Sequence, residues 1–440
     1  MAGTVAIVGG GASGALAAIH LARQGNPPKL VVIEPRAELG LGIAYATRSP
    51  GHLLNVRAGN MSAFPDAPDH FLDWLRREHD PAADAGVFAP RMVYGRYLHS
   101  LVARSGAVHC RQAAVGVRVE GDAASVVLAD GETVRAGCVV LALGHFPPVD
   151  LPRIGADALS AGLYHRDPWG DFPLPSDRDS PVVLVGTGLT SVDMLLRLRE
   201  RGHRGPVTMV SRHGLLSRGH APCAPCALPV VPEGTTPTAR AYLAVFRDAV
   251  RDGLPWRAAV DSLRGTSNPL WAHLPAGEKA RFRRYLFHYW SVARHRMAPS
   301  IAEQVERERR SGLLVIRRGH VRDLAMSGAV GRLTIVTSRG TESLAASCVI
   351  NCTGPVTDYR RVESPLLRML ALAGLAVPGD MGTTLATDAH GALAGASGAC
   401  SQMLYAMGPM RAGTLFETTA IPEIRQQARD LAVYLAGMGS

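Results

Sequence analysis

Two stretches of this 440-residue chain follow one plan, a short β-type run, a glycine turn and a helix-forming segment: TVAIVGGGASGA at 4–15 and VVLVGTGLTSVD at 182–193. Such an element constrains its surroundings, because a strand whose helix packs back on it expects a parallel neighbour reached by a crossover. In the first, Gly9, Gly11 and Gly14 stand in G-x-G-x-x-G spacing, with Ala12 and Ser13 between them opening the helix. The glycines permit the tight turn, the close approach of a pyrophosphate and the packing of helix on strand, while the helix N-terminus favours phosphate charge. The next run, 29–33, leads into Glu34, 20 residues after Gly14. An acid at that spacing accepts hydrogen bonds from ribose hydroxyls and repels a 2′-phosphate, so this site suits FAD or NAD.

The second element carries Gly186, Gly188, Leu189, Thr190 and Ser191, and its following strand leads into Ser211 and Arg212, the former 20 residues after Ser191. The acid is replaced by a hydroxyl and a guanidinium, which is what a 2′-phosphate requires. NADPH is therefore expected here, with Ser211 and Arg212 as the discriminating pair. Ser191 departs from glycine tolerably, since that position only has to be small enough for helix–strand packing. Two cradles of different preference imply hydride transfer from nicotinamide to flavin, the protein supplying position.

Length predicts more than one domain. The strands 139–143 and 349–353, each running into a glycine (Gly144, Gly354), read as crossings between two Rossmann-like units. The expected class is α/β, with FAD and NADPH domains of the glutathione-reductase-like type. The expected division is a first FAD segment at 1–150, an NADPH domain at 151–345 with a mainly helical insert near 214–310, and a second FAD segment at 346–440. Within the insert, 278–297 reads as the clearest helix, with Phe282, Leu286, Tyr289, Ala293 and Arg296 on one face; such a stripe suits core packing or substrate lining. Near the C-terminus, Ile421, Ile424, Ala428, Leu431 and Leu435 recur at helical spacing after Gly413 and Thr414, with Pro422 suited to the first turn.

The formal charge is +10, yet the Lys and Arg are scattered without a basic block, so anionic cofactors and an anionic small substrate are expected rather than nucleic acid. No apolar run is long enough to span a membrane. Seven cysteines are an odd number for a secreted disulfide framework, and the glycine-interrupted N-terminus lacks a signal-peptide pattern, which together predict a cytoplasmic protein. Cys223 and Cys226 form a C-x-x-C that could act as a redox dithiol or be incidental; it lies 35 residues after Gly188. Neither zinc nor another metal is expected, because no second pair completes four ligands. No Ser-His-Asp or paired-carboxylate constellation is assignable, and the oligomeric state is not readable.

The strings LGLGIAY (39–45), HLLNVR (52–57), GNMS (59–62), HRMAP (295–299), NCTGP (351–355) and LYAMGP (404–409), with Trp290, resemble the FAD/NAD(P)-binding protein family with an N-terminal flavin-binding Rossmann domain. Its described relatives are single-component flavoprotein monooxygenases, including N-hydroxylating enzymes. The resemblance, which spans nearly the whole chain, implies that the loop 40–62 runs along the flavin, with Asn55, Asn60, Met61 and Ser62 near its ribityl chain or ring. Read from the residues alone, ordinary loop capping serves each of them equally. It further implies an NADPH-dependent FAD monooxygenase that uses O2, through a C4a-(hydro)peroxyflavin, to oxygenate a nitrogen of a small polar or amino-acid-like substrate. Flavoproteins of this architecture place an Asp after the last strand against the ribityl chain; here Gly408 is followed by Pro409, leaving Asp388 as the candidate. Alternatives are an NADPH-dependent flavin reductase or dithiol–disulfide oxidoreductase using Cys223 and Cys226, and a flavin-binding redox sensor or partner subunit.

Overall fold

The computed structural model describes residues 3–328 and 330–438. Its first sheet runs in the order Ala392–Ala394, Cys400–Ala406, Cys138–Leu141, Thr4–Val8, Lys29–Ile33 and Val108–Cys110. All neighbours are parallel except the first pair, and Val5 sits between Leu30 and Cys138. Because side chains alternate along a strand, Val5 and Ile7 face helices Ala12–Ala22, Arg91–Val102 and Ile421–Gly437, whereas Ala6 and Val8 face the other side. That other side is covered by an antiparallel ribbon (Ala114–Glu120, Ala123–Leu128, Thr133–Ala136) and helix Pro365–Leu372. The C-terminal helix buries Ile421, Ile424, Ala428, Leu431 and Leu435, the positions expected from their spacing.

The second sheet is wholly parallel, in the order Leu314–Arg318, Val207–Ser211, Val182–Val185, Cys348–Asn351 and Tyr164–His165. Helix Leu189–Glu200 packs Val192, Leu195 and Leu198 on one face. Strands His320–Ser327, Val330–Thr337 and Gly340–Ala346 close the other. The α/β class with two Rossmann-like units and a helical insert is thus as the glycine elements predict.

Two expectations require correction. The boundary at 345/346 falls too early, because Cys348–Asn351 pairs with Val182–Val185 and so belongs to the second sheet; the chain returns to the first unit only after Asn351. The apolar strand alone carried no sign of which ladder it joins. The single helix expected over 278–297 is two, Ala276–Tyr285 and Phe287–Arg294, meeting at Leu286. The remaining insert helices are Ala239–Arg251, Trp256–Ser262, Ser267–His273 and Pro299–Arg310.

Candidate functional site

The first cradle is built by close backbone contact. Gly9 has φ +100°, and a Cβ there would stand 2.4 Å from the Ala142 carbonyl oxygen. A Cβ on Gly14 would come within 1.9 Å of the Gly9 oxygen, so the helix can seat on the turn only without a side chain. Glu34, nearly buried, accepts from the Gly10 N–H at 2.9 Å through one oxygen and from the Arg36 N–H at 3.1 Å through the other. Each oxygen keeps a second lone pair for a ribose hydroxyl.

From this cradle a cleft of about 340 Å³ extends along the boundary between the two units. Gly9, Gly11, Ala12, Ser13 and Glu34 line one end. Thr190 and Gly354, from the second cradle and the second crossing, line it too, as do Gly144 and His145 from the first crossing. Ile421 at the start of the C-terminal helix, with Thr419 just before it, contributes a further wall. That helix end presents its positive dipole toward the cleft.

The second cradle repeats the geometry. Gly186 has φ +133°, and a Cβ on it would lie 2.2 Å from the Cys352 oxygen and 3.1 Å from the Ser191 hydroxyl. Ser191 is fully buried beneath Gly186, the place Gly14 holds beneath Gly9. Gly188 is the N-cap residue and Leu189 the first residue of the helix. The Thr187 hydroxyl donates to the Leu215 carbonyl at 2.6 Å and lies 2.9 Å from the Ser211 oxygen, which accepts from the Gly214 N–H at 3.0 Å. Ser211 therefore shapes the turn, leaving Arg212 exposed beside it.

Around Arg212 the fold gathers basic side chains, one further guanidinium and two imidazoles, that sequence spacing did not reveal. His213 stacks on His288 of the insert, with ring centroids 3.7 Å apart and planes 9° from parallel. Arg318 is register partner to Ser211 on the adjacent strand. Burial, and then the charges of His288, Arg212, Arg318 and His320, hold the His213 pKa below its usual value. The signal was obscure because Arg318 and His288 stand 106 and 76 residues from Arg212.

The loop 40–62 does not deliver all its candidates to the cleft. Gly42, Ile43 and Tyr45 line it, but Met61 and Ser62 are in the core, where the Ser62 hydroxyl bonds the Phe64 and Ala67 carbonyls. Asn60 is exposed, and Asn55 offers its carbonyl to His220 Nε2 at 3.0 Å. Asp388 caps its own turn through the His390 and Ala392 N–H groups. Gly413 packs against Gly379, and the Thr414 hydroxyl bonds Thr387, so neither lines the cleft.

What the loop does supply is a clasp between the units. Arg91, held to the Leu53 carbonyl at 3.0 Å, pairs with Asp193 of the second cradle's helix at 2.8 Å. His52 Nε2 donates to the Asp193 carbonyl at 2.8 Å, and Ser49 bonds Glu200. Burial lowers the His52 pKa despite the nearby carboxylate, so the ring is neutral, with Nδ1 accepting from the Thr47 hydroxyl at 2.7 Å.

Cys223 lines a different groove with Arg57, Asp84 and Phe88, and the Cys226 thiol donates to the Leu228 carbonyl at 2.9 Å. No cysteine lines the cofactor cleft among the described residues. No helix among them is long and apolar enough to cross a membrane.

A cleft that runs from the glycines of the first cradle to Thr190 of the second, while Gly186 and Gly188 do not line it, marks a fold of the two-dinucleotide-binding flavoprotein type. Residues 6–146, which hold the first cradle, match the family model described as FAD-NAD(P)-binding. Among solved structures, the chain is similar to an ornithine N-hydroxylase from Kutzneria sp. 744 whose structure holds reduced FAD, NADP+ and L-ornithine; the match covers 100% of both chains with TM-score 0.67 and 14% identity. It is similar to the L-lysine 6-monooxygenase from Pseudomonas syringae (99% of both, TM-score 0.65, 14% identity). It also resembles the bacillithiol disulfide reductase from Bacillus cereus (100% of both, TM-score 0.58, 16% identity). The fold is thus common to oxygenases and disulfide reductases.

Proposed function

We propose that this chain is an NADPH-dependent, FAD-containing monooxygenase that transfers one oxygen atom of O2 to a nucleophilic nitrogen of a small substrate. For an amine the balance is R–NH2 + O2 + NADPH + H+ giving R–NHOH + NADP+ + H2O. The carrying observation is that the cleft runs from the first cradle to Thr190 of the second, yet no cysteine among the described residues lines it, so electrons arriving there meet no dithiol to receive them. The glycine contacts at Gly9 and Gly14, with the spare lone pairs of Glu34, fit FAD in the first cradle.

FAD, when bound, accepts hydride from the reduced nicotinamide and activates O2. The chain's residues bind, orient and exclude. Glu34 would hold the adenosine ribose, and the N–H groups at Ala12 and Ser13 would meet the pyrophosphate. Arg212, with Arg318 beside it, would pair with the 2′-phosphate of NADPH. The Arg91–Asp193 clasp ties one unit to the other beside the cleft and would hold the two cradles in register. The helix end at Ile421 favours negative charge in the cleft.

The test measures NADPH consumed, hydrogen peroxide released and hydroxylated product formed by the FAD-loaded protein over a panel of amines. Product rising as peroxide falls supports oxygenation. Peroxide equal to NADPH with every amine counts against it.

A further inference from the structure

The insert forms a second cavity, of about 410 Å³ and partly open to solvent, whose walls are almost entirely apolar. Trp256, Leu270, Trp271, Phe282, Trp290 and Phe416 line it, and the expected stripe of Leu286, Tyr289 and Ala293 faces it as well. It is within the size range of small-molecule sites. A chain that merely packed these helices would close such a space, since unfilled apolar volume costs contact energy.

The cavity adjoins the cofactor cleft through a short wall. Phe416 lines the cavity, and Thr419, three residues on, lines the cleft. The insert clamps that wall: Asn268 Oδ1 accepts from the Phe416 and Glu417 N–H groups, both at 2.8 Å, and its Nδ2 donates to the Glu417 carbonyl at 3.2 Å. Arg294 and the buried Glu417 form an ion pair at 3.1 Å behind it. The charged side chain among the lining residues is Arg247, which is exposed at the cavity rim.

We infer that this cavity takes the apolar body of an anionic small molecule, a carboxylate held near Arg247 with its hydrocarbon among the insert aromatics. The site goes beyond the monooxygenase reading: no residue lines both spaces, so this pocket stands beside the cofactor cleft and separate from it, with Phe416 on one side of the wall and Thr419 on the other. The ligand class follows from the lining: apolar walls reward hydrocarbon, and one rim guanidinium rewards a carboxylate.

The experiment titrates hexanoate, octanoate and decanoate, with 1-octanol as the uncharged match, into FAD-loaded protein without NADPH and follows tryptophan quenching. The expected Kd falls about fourfold per added methylene. Arg247→Gln should weaken octanoate about tenfold and leave octanol unchanged. Ala293→Phe should abolish decanoate binding, and Leu243→Gln serves as a second variant at the lining; retained FAD content shows that each variant is folded. A Kd independent of chain length, or decanoate binding untouched by both variants, would overturn the inference. Quenching that follows protein concentration instead would assign the cavity to a second copy of this chain and also overturn it. Neither NADPH nor O2 is present, so binding can fail while oxygenation stands, and the reverse.

Discussion

Arg91 Nη1 and Asp193 Oδ2 lie 2.8 Å apart, joining a helix of the first unit to the helix of the second cradle through a pair mostly removed from solvent. A pair in that setting is costly to break from one side, because the surviving charge stays buried without its partner. It also reaches both cofactor elements at once, since Arg91 lines the cleft and Asp193 stands two residues after Ser191.

Arg91→Leu is therefore expected to lower unfolding free energy by about 3–5 kcal/mol. The double variant Arg91→Leu with Asp193→Leu should recover most of that loss. Denaturant unfolding of the four proteins measures both, and equal losses in single and double variants would remove the buried-charge explanation.

Arg212→Glu should raise the KM for NADPH about tenfold to hundredfold, the range for losing charged hydrogen bonds, while the KM for NADH stays within a small factor. Steady-state kinetics with the two nucleotides decide this. Arg318→Ala should shift the same preference in the same direction by a smaller amount.

The two cradles were legible because their logic is local: strand, glycines, helix and the residue 20 positions on are consecutive, and the side chain that Gly14 forbids is forbidden by the Gly9 oxygen of the same turn, although Gly9 and Gly186 are also hemmed in by Ala142 and Cys352 from far along the chain. The C-terminal helix was legible for the same reason, through Ile421 to Leu435. What could not be read depends on contacts between distant segments. Met61 and Ser62 sit in the core because of how the loop folds onto helix Arg91–Val102, where the Ala63 N–H meets the Tyr97 hydroxyl at 3.1 Å. Strand Cys348–Asn351 joins the second ladder although its composition suits either. The stacking of His213 on His288 and the clasp of Arg91 on Asp193 likewise unite residues far apart in the chain.

Glu34→Ala removes the acceptor of the Gly10 and Arg36 N–H groups together with the proposed ribose contact. The purified variant should carry well under half the flavin of the parent, read from the ratio of flavin to protein absorbance. Full flavin content would deny Glu34 that role.

Burial holds the pKa of both His220 and His295 at about 4, against an ordinary 6.5. Both are neutral in the folded protein, so as pH falls below 6.5 the unfolded chain takes up protons that the folded one does not. Stability is thus fully present above pH 6.5 and is lost on acidification toward pH 4, at up to about 1.4 kcal/mol per pH unit for each ring. Thermal unfolding across that window should show His220→Gln with a shallower acid slope than the parent.

NADPH-driven oxygen activation is tested most directly by reducing the FAD-loaded protein anaerobically with one equivalent of NADPH, mixing it with O2 and following the flavin spectrum in a stopped-flow instrument. The expected result is rapid reduction by NADPH, then a lag with a distinct intermediate spectrum before oxidised flavin returns. Monophasic reoxidation at the rate of oxygen mixing, with one peroxide per NADPH, would contradict it.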